Sequence, residues 1–133
     1  MSSPAPSQPP LASLVLAGDQ QTEAEAITDF IFMAKDISNA YLVTTDAGDV
    51  MVNTGFMDNA QRTKRLLTPR RTGPLRKIIL TQAHADHYGG VPALREAETE
   101  VIGGRGFVDT WHYFDDLAPY LARRTSKLWG TTI

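Results

Sequence analysis

The sequence contains no cysteine among its 133 residues. This absence excludes disulfide bonds, zinc sites built from thiolates and cysteine nucleophiles, and it leaves the redox compartment open. Any metal site in this chain therefore has to be built from nitrogen and oxygen ligands.

Long apolar runs and an excess of positive charge are missing as well. No stretch of about twenty apolar residues is present, which argues against a transmembrane helix, and the first ten residues lack the basic start of a secretory signal. The 13 basic and 15 acidic residues are interspersed and give a formal net charge of −2, so no basic face for nucleic acid is expected. We expect a cytoplasmic protein that acts on a small-molecule substrate, with neither nucleic acid nor a membrane as its partner. Assembly into a homo-oligomer stays open.

Composition divides the chain into a leader and one domain. Four of the eight prolines lie in the first ten residues, so residues 1–20 are predicted to form a flexible Pro/Ser-rich leader. Residues 21–133 have a globular composition, and a chain of this size buries roughly two thirds of its unfolded surface in one core. We therefore predict a single domain over residues 21–133.

Short apolar runs predict strands in the first half of this domain. Residues 31–33 form one such run and residues 41–44 another, with Ser38 and Asn39 as a break between them. Residues 50–52 follow a turn in which Gly48 supplies a positive φ, so they are predicted to pair with 41–44 in a hairpin.

The middle of the chain alternates between helix and strand. Asp58 is predicted to cap a helix that continues to about Leu67. Residues 76–81 are predicted to form a buried strand covered on both faces, because three of them in succession are apolar. A short helix over 91–97 and a strand over 100–102 complete an α/β pattern.

The last part of the chain predicts a broken helix. Trp111, Phe114, Leu117 and Leu121 recur at helical spacing, with an interruption near Pro119. This apolar face is expected to pack in the core. No further strand pattern follows it, so the architecture looks unfinished.

The residues that point most clearly to chemistry are His84, Asp86 and His87, preceded by Gln82. They follow directly on a predicted strand, and side chains on a loop at the carboxyl edge of a sheet converge on a crevice where ligands bind. Imidazole and carboxylate are ligands that zinc accepts, and a catalytic zinc uses about three protein ligands and one open position. The segment therefore predicts a metal site.

This segment resembles the metallo-β-lactamase superfamily, whose signature His-x-His-x-Asp-His follows a strand. His84, Asp86 and His87 match the signature, and Tyr88-Gly89-Gly90 follows as in many members. The resemblance implies that position 82 and His84 bind a first metal ion, that Asp86 and His87 bind a second, and that Asp86 also orients the attacking water or hydroxide. It implies zinc as the cofactor, as one or two ions, with manganese or iron as alternatives.

The resemblance covers roughly residues 27–102 and implies a fold and a reaction. The implied fold is half of an αββα sandwich, an α/β (α+β) arrangement with a mixed sheet and helices on one face. The implied reaction is hydrolysis, in which zinc-bound hydroxide attacks a sulfate ester, a lactone, a thioester or a β-lactam. Residues 48–55 together with 81–87 look most like the alkyl-sulfatase-like members.

Two positions depart from the family pattern. Gln82 stands where the signature has histidine, and an amide oxygen is a weaker, neutral donor, so the first ion is expected to bind less tightly. A plain hydrogen-bonding role at a strand end competes equally with metal ligation for Gln82. Asn53 stands where the family has the aspartate of an Asp-Thr-Gly turn. Asn53 either orients the metal ligands without binding the ion itself or has only the local role that asparagine commonly has in a turn.

The ligands that the family places in its C-terminal half are not found in this sequence. The third and last histidine is His112. Three explanations stay open: a fragment or truncated reading frame, a second chain that supplies the missing half, or a loss of catalysis. In the last case the chain is a non-catalytic binding module or has no function.

Two further features receive structural interpretations. His112 lies between Trp111 and Tyr113, where a partly buried structural histidine is expected. Arg123, Arg124 and Lys127 are expected to complement the dipole at a helix end, with an anionic substrate group as the alternative.

Overall fold

A computed structural model describes residues 17–129. Within this range one six-stranded sheet is formed, and its strands lie side by side in the order in which they follow along the chain. The strands are β1 (Glu25–Ala26), β2 (Ile31–Ala34), β3 (Ala40–Val43), β4 (Asp49–Val52), β5 (Leu75–Leu80) and β6 (Glu100–Gly103). The pairs from β1 to β4 are antiparallel, whereas β4–β5 and β5–β6 are parallel. The predicted α/β fold with a mixed sheet is confirmed.

The helices follow β4, β5 and β6. They are α1 (Ala60–Leu67), α2 (Ala85–Tyr88), α3 (Val91–Leu94), α4 (Phe107–Asp116) and α5 (Ala118–Trp129), with 3-10 turns over Met57–Asn59 and Thr68–Arg70. The helix predicted over 91–97 is shorter in the structure and ends at Leu94, because the backbone becomes extended at Arg95. In the described part of the chain, no helix combines the length and the apolarity that crossing a membrane requires.

The hairpin of β3 and β4 forms as predicted. Leu42 pairs with Met51 and Tyr41 with Val52, and Gly48 in the turn has a φ of 110°. A residue with a side chain is strained in this left-handed conformation, whereas glycine adopts it freely. A Cβ atom at Gly48 would also collide with the side chain of Arg76.

The core lies on one face of the sheet. Leu42, Met51 and Ile78 are neighbours on β3, β4 and β5, and they are buried together with Leu66 and Leu67 of α1. Burial of each such side chain stabilises the fold by about 1.5–3 kcal/mol.

The opposite face of the sheet is more open. Ile79, which points away from this core, remains 38% exposed. The prediction that this strand is covered on both faces is therefore wrong. The run of apolar residues also fits a strand whose second face has no covering layer among the described residues.

The start of α1 is stabilised by a residue distant in sequence. Neither helical segment there receives a side-chain cap from its own first residues, so the predicted cap by Asp58 is wrong. Instead, buried Asp36 accepts hydrogen bonds from the Phe56 backbone N–H at 2.8 Å and from the Asn59 side-chain amide at 2.7 Å. The carboxylate thereby satisfies a backbone donor that a helix start leaves unpaired.

A buried carboxylate positions β5 beside β4. Asp49 accepts hydrogen bonds from the backbone N–H and the hydroxyl of Thr72, at 3.1 and 3.0 Å, and from Arg71 Nε at 3.3 Å. Arg71 also pairs with Glu96, whose second oxygen accepts a hydrogen bond from the Leu75 backbone at 3.0 Å. This network fixes the connector before β5.

The helix break near Pro119 is confirmed. α4 ends at Asp116, and Pro119 is the second residue of α5, where it has no helical hydrogen bond to lose. The expected core packing of α4 is wrong, since none of its residues is buried and Trp111 is 39% exposed. His112 is exposed beside the Trp111 ring, which corrects the expectation of a partly buried histidine.

The predicted flexible leader over residues 1–20 falls mainly on residues 1–16, which lie outside the described residues. The following residues, 17–20, form turns. Gln21 then binds the end of β2, because its side chain donates to the Met33 carbonyl and accepts from the Lys35 backbone.

Candidate metal centre

The loop after β5 is held in place by the turn after β4. Thr54 donates hydrogen bonds from its backbone and its hydroxyl to the His87 carbonyl, at 2.8 and 2.9 Å. The Gly90 backbone donates to the Thr54 hydroxyl at 3.1 Å. The two backbone segments approach closely here: a Cβ at Gly89 would lie only 2.6 Å from Met57 N. The two glycines therefore allow α2 to pack against the β4 turn.

Asn53 acts on the site through Thr81. It is buried and has a φ of 57°, which is uncommon for a residue other than glycine. Its Oδ1 accepts a hydrogen bond from Thr81 N at 3.0 Å, and its Nδ2 donates to Thr81 Oγ1 at 3.0 Å. Thr81 Oγ1 lies 3.3 Å from Nδ1 of His87. Asn53 therefore contacts Thr81, and Thr81 in turn contacts the imidazole of His87.

The four residues predicted as metal ligands meet at the carboxyl end of β5. The Gln82 amide contacts both histidines: Oε1 is hydrogen-bonded to His84 Nδ1, and Nε2 lies 2.7 Å from His87 Nε2. Asp86 Oδ2 lies 3.8 Å from His87 Nε2. Gln82 is therefore at the centre of this group, in contact with both imidazoles.

Ser38 is a member of this group that the sequence did not reveal. Its hydroxyl donates a hydrogen bond to Asp86 Oδ2 and lies 3.0 Å from His87 Nε2. A signal for it existed in the predicted hairpin. Because β3 runs antiparallel to β4, the loop before β3 has to lie at the edge where β4 and β5 end.

The environment of His87 favours the neutral form of its imidazole. Burial is the main cause that lowers the pKa of His87 below its ordinary value; the Asp86 charge opposes this effect, and His84 adds to it. A neutral imidazole is the form that binds a metal. With Nδ1 facing the Thr81 hydroxyl, Nε2 of His87 is directed at the centre of the group.

The chemistry of these donors fits a zinc-type ion. Within residues 17–129, no three His, Asp or Glu side chains come together as a metal-binding group. Two ligands of a tetrahedral zinc with bonds of about 2.0–2.1 Å lie roughly 3.3 Å apart. The separation of 3.8 Å between His87 Nε2 and Asp86 Oδ2 is close to this value. The fit therefore rests on this pair, complemented by neutral oxygen donors.

A cavity of about 450 Å³ opens beside the group. His84 and Asp86 form part of its wall, and Trp111, Phe114 and Leu121 form the side contributed by α4 and α5. The Phe114 ring lies 4.4 Å from the His84 ring, measured between centroids. The aromatic residues that were expected in the core therefore line a mostly apolar cavity next to the polar group.

Comparison with known proteins identifies the family. The model of the metallo-β-lactamase superfamily matches residues 33–126. The chain therefore belongs to the metallo-β-lactamase superfamily, as the segment from Thr81 to Gly90 predicted. A curated relative, the alkyl/aryl-sulfatase BDS1 of Saccharomyces cerevisiae, is 30% identical over 94 residues, which are 63% of this chain and 15% of the relative.

Solved structures share the fold at low sequence identity. The inverting sec-alkylsulfatase Pisa1 from Pseudomonas sp. matches 78% of this chain and 18% of its own, with 20% identity and a TM-score of 0.69. A metallo-β-lactamase of Cronobacter sakazakii matches 82% and 42%, with 21% identity and a TM-score of 0.63. The subclass B3 enzyme BJP-1 of Bradyrhizobium japonicum matches 68% and 36%, with 19% identity and a TM-score of 0.60. The chain spans less than half the length of each of these proteins.

Proposed function

We propose that this chain carries part of the active site of a metal-dependent hydrolase that acts on an ester-type small molecule with an apolar substituent. One observation carries the proposal: Gln82, His84, Asp86 and His87 converge at the end of β5, beside an apolar cavity. Polar groups that meet beside an apolar cavity are the usual form of a small-molecule site.

The proposed cofactor is zinc, as one or two ions, with manganese or iron as alternatives. Asp86 and His87 would hold one ion, and His84 with Gln82 would hold the other. When bound, such an ion lowers the pKa of water and polarises the electrophile. The weaker donor at position 82 makes the His84 half the less strongly binding of the two.

The surrounding residues provide orientation. Asn53 and Thr81 hold the His87 ring, and Asp86 would accept a hydrogen bond from an attacking water. The Phe114 ring lies beside the His84 ring and contributes an apolar side chain next to it.

Among ester-type substrates, we favour a sulfate ester of an alkyl or aryl alcohol. Two observations support it: the name of the yeast relative, and the apolar wall of Trp111, Phe114 and Leu121 next to the polar group. Lactones, thioesters and β-lactams are the alternatives that a substrate screen has to include.

A second candidate is a catalytically inactive domain that acts as a binding module. It is favoured by the finding that no three His, Asp or Glu side chains cluster within the described residues. Gln82 in place of a histidine points the same way.

The test is hydrolysis of a chromogenic aryl sulfate by the purified chain, supplied with zinc, manganese or iron in turn. The proposal predicts turnover that a chelator removes and that Asp86→Asn abolishes, with circular dichroism showing an unchanged fold. Turnover that survives Asp86→Asn contradicts the assigned site. Absence of turnover with each of the three metals and with every ester class favours the binding module.

A further inference from the structure

Ser38 makes contacts unlike those of an ordinary loop serine. Serine hydroxyls in loops usually bond to backbone groups a few residues away. Ser38 Oγ contacts Asp86 Oδ2 and His87 Nε2, which are 48 and 49 residues away in sequence. The hydroxyl is therefore directed at the candidate metal centre.

The loop that carries Ser38 is fixed from several sides. The Asp36 backbone donates to the Asn39 side chain at 3.2 Å, and the Asp36 carboxylate accepts from the backbone of Ile37 at 2.8 Å. The same carboxylate is bound to Phe56 and Asn59, which start the segment leading into α1. Ser38 therefore lies on a loop whose backbone is held by several hydrogen bonds.

Two pairs among these three donor atoms have separations near those of ligands around one ion. Ser38 Oγ is 3.0 Å from His87 Nε2 and hydrogen-bonded to Asp86 Oδ2, while the latter two atoms are 3.8 Å apart. Ligands of a tetrahedral ion lie about 3.3 Å from one another. Asp86 and His87 alone supply two ligands, whereas a catalytic zinc uses about three protein ligands.

We propose that Ser38 supplies the third protein oxygen to the ion held by Asp86 and His87. This inference rests on the proposed metal site and adds a ligand to it. It accounts for a centre in which no three His, Asp or Glu side chains of residues 17–129 come together. The neutral hydroxyl completes the set without adding a second carboxylate charge.

Because the sequence contains no cysteine, an introduced cysteine is the only thiol that can bind a metal in a spectroscopic test. Cobalt(II), which replaces zinc and absorbs visible light, is titrated into the unaltered chain, into Ser38→Cys and into Ser126→Cys. Ser126 is an exposed serine of α5 whose hydroxyl bonds the Arg123 carbonyl, so it serves as the matched control. A thiolate bound to cobalt gives a near-ultraviolet charge-transfer band that oxygen and nitrogen ligands do not give.

The expected result is a visible cobalt spectrum in all three proteins and the charge-transfer band in Ser38→Cys alone. Cobalt binding without that band in Ser38→Cys overturns the role of Ser38 and leaves the proposed metal site standing. Absence of any cobalt spectrum in the unaltered chain overturns both.

A second comparison serves if Ser38→Cys does not fold. Ser38→Ala should lower the cobalt affinity about tenfold or more, as loss of a supporting group at a metal site does, and Ser38→Thr, which keeps the hydroxyl, should restore it. Equal affinity of Ser38→Ala and the unaltered chain overturns the proposal.

Discussion

Asn53 binds Thr81 with both ends of its side-chain amide, at 3.0 Å for each hydrogen bond. The two residues lie at the ends of β4 and β5, so this pairing continues the parallel strand contact beyond the sheet. Because Thr81 in turn faces His87, the geometry of the candidate metal centre depends on a residue that does not touch the ion site itself.

Replacement of Asn53 separates its two structural roles. Asn53→Ala leaves the Thr81 N–H without its acceptor and places alanine at a positive φ, so we expect the free energy of unfolding to fall by about 2–4 kcal/mol. Asn53→Gly loses the same hydrogen bonds, but glycine adopts a positive φ without strain. It should therefore be more stable than Asn53→Ala by about 1 kcal/mol. Urea denaturation measures both, and equal stability of the two variants would refute the backbone argument.

Position 82 provides a test of the weaker half of the site. Gln82→His restores the family signature and replaces a neutral amide by an imidazole, a stronger ligand for zinc. We expect zinc affinity to rise about tenfold or more and the number of bound ions to stay equal or increase. Isothermal titration checks this, with Gln82→Glu as a control for added charge. An unchanged affinity in Gln82→His would show that this side chain is not near an ion.

Acid stability should depend on Glu96. The hydrogen bond from Arg71 is the main cause that lowers the pKa of Glu96 below its usual value. A carboxylate with a lowered pKa in the folded state stabilises the fold above the unfolded pKa of about 4.3 and loses that contribution as pH falls through the folded value.

Glu96→Gln is therefore expected to be less stable than the unaltered chain at neutral pH. The difference should shrink as the pH is lowered below about 4.3, because the unaltered carboxylate becomes protonated. Thermal unfolding at a series of pH values measures it. A difference that is constant from pH 7 to pH 3 would mean that the Arg71 pair contributes nothing through charge.

Phe114 tests the proposed use of the cavity. It is half-buried and its ring contacts His84, so Phe114→Ala should cost little stability but should remove part of the apolar wall. For sulfate esters we expect KM to rise more for long alkyl chains than for short ones, while Tyr113→Ala, which alters an exposed residue of the same helix, leaves both unchanged. Equal effects of Phe114→Ala on long and short chains would place the substrate elsewhere.

The local elements were predictable because their signals are local. The strands 41–44 and 50–52 and the turn at Gly48 follow from alternation and from the conformational freedom of glycine. Likewise, the helix break at Pro119 follows from the proline itself.

Contacts between distant parts of the chain were not predictable from local sequence patterns. The start of the α1 segment is bound by Asp36 rather than capped by Asp58, because a buried carboxylate from another loop accepts hydrogen bonds from the Phe56 N–H and the Asn59 side chain. Periodicity also placed Trp111 and Phe114 on one helical face but did not indicate that this face lines a cavity over His84.

The candidate site was predictable where a motif carried it and not where side chains converge in space. Gln82, His84, Asp86 and His87 are close in sequence, so their proximity could be inferred from the loop alone. Ser38 enters from a loop more than 40 residues earlier, and it could be placed only by combining the hairpin register with the parallel pairing of β4 and β5.

Elemental analysis of the purified chain for zinc, manganese and iron, beside a His84→Ala/His87→Ala variant, measures whether the residues after β5 bind a metal ion. We expect about one equivalent of metal or more in the unaltered chain, bound by the residues after β5, and its loss in the variant. Absence of metal from both proteins, or an equal content in both, would contradict it.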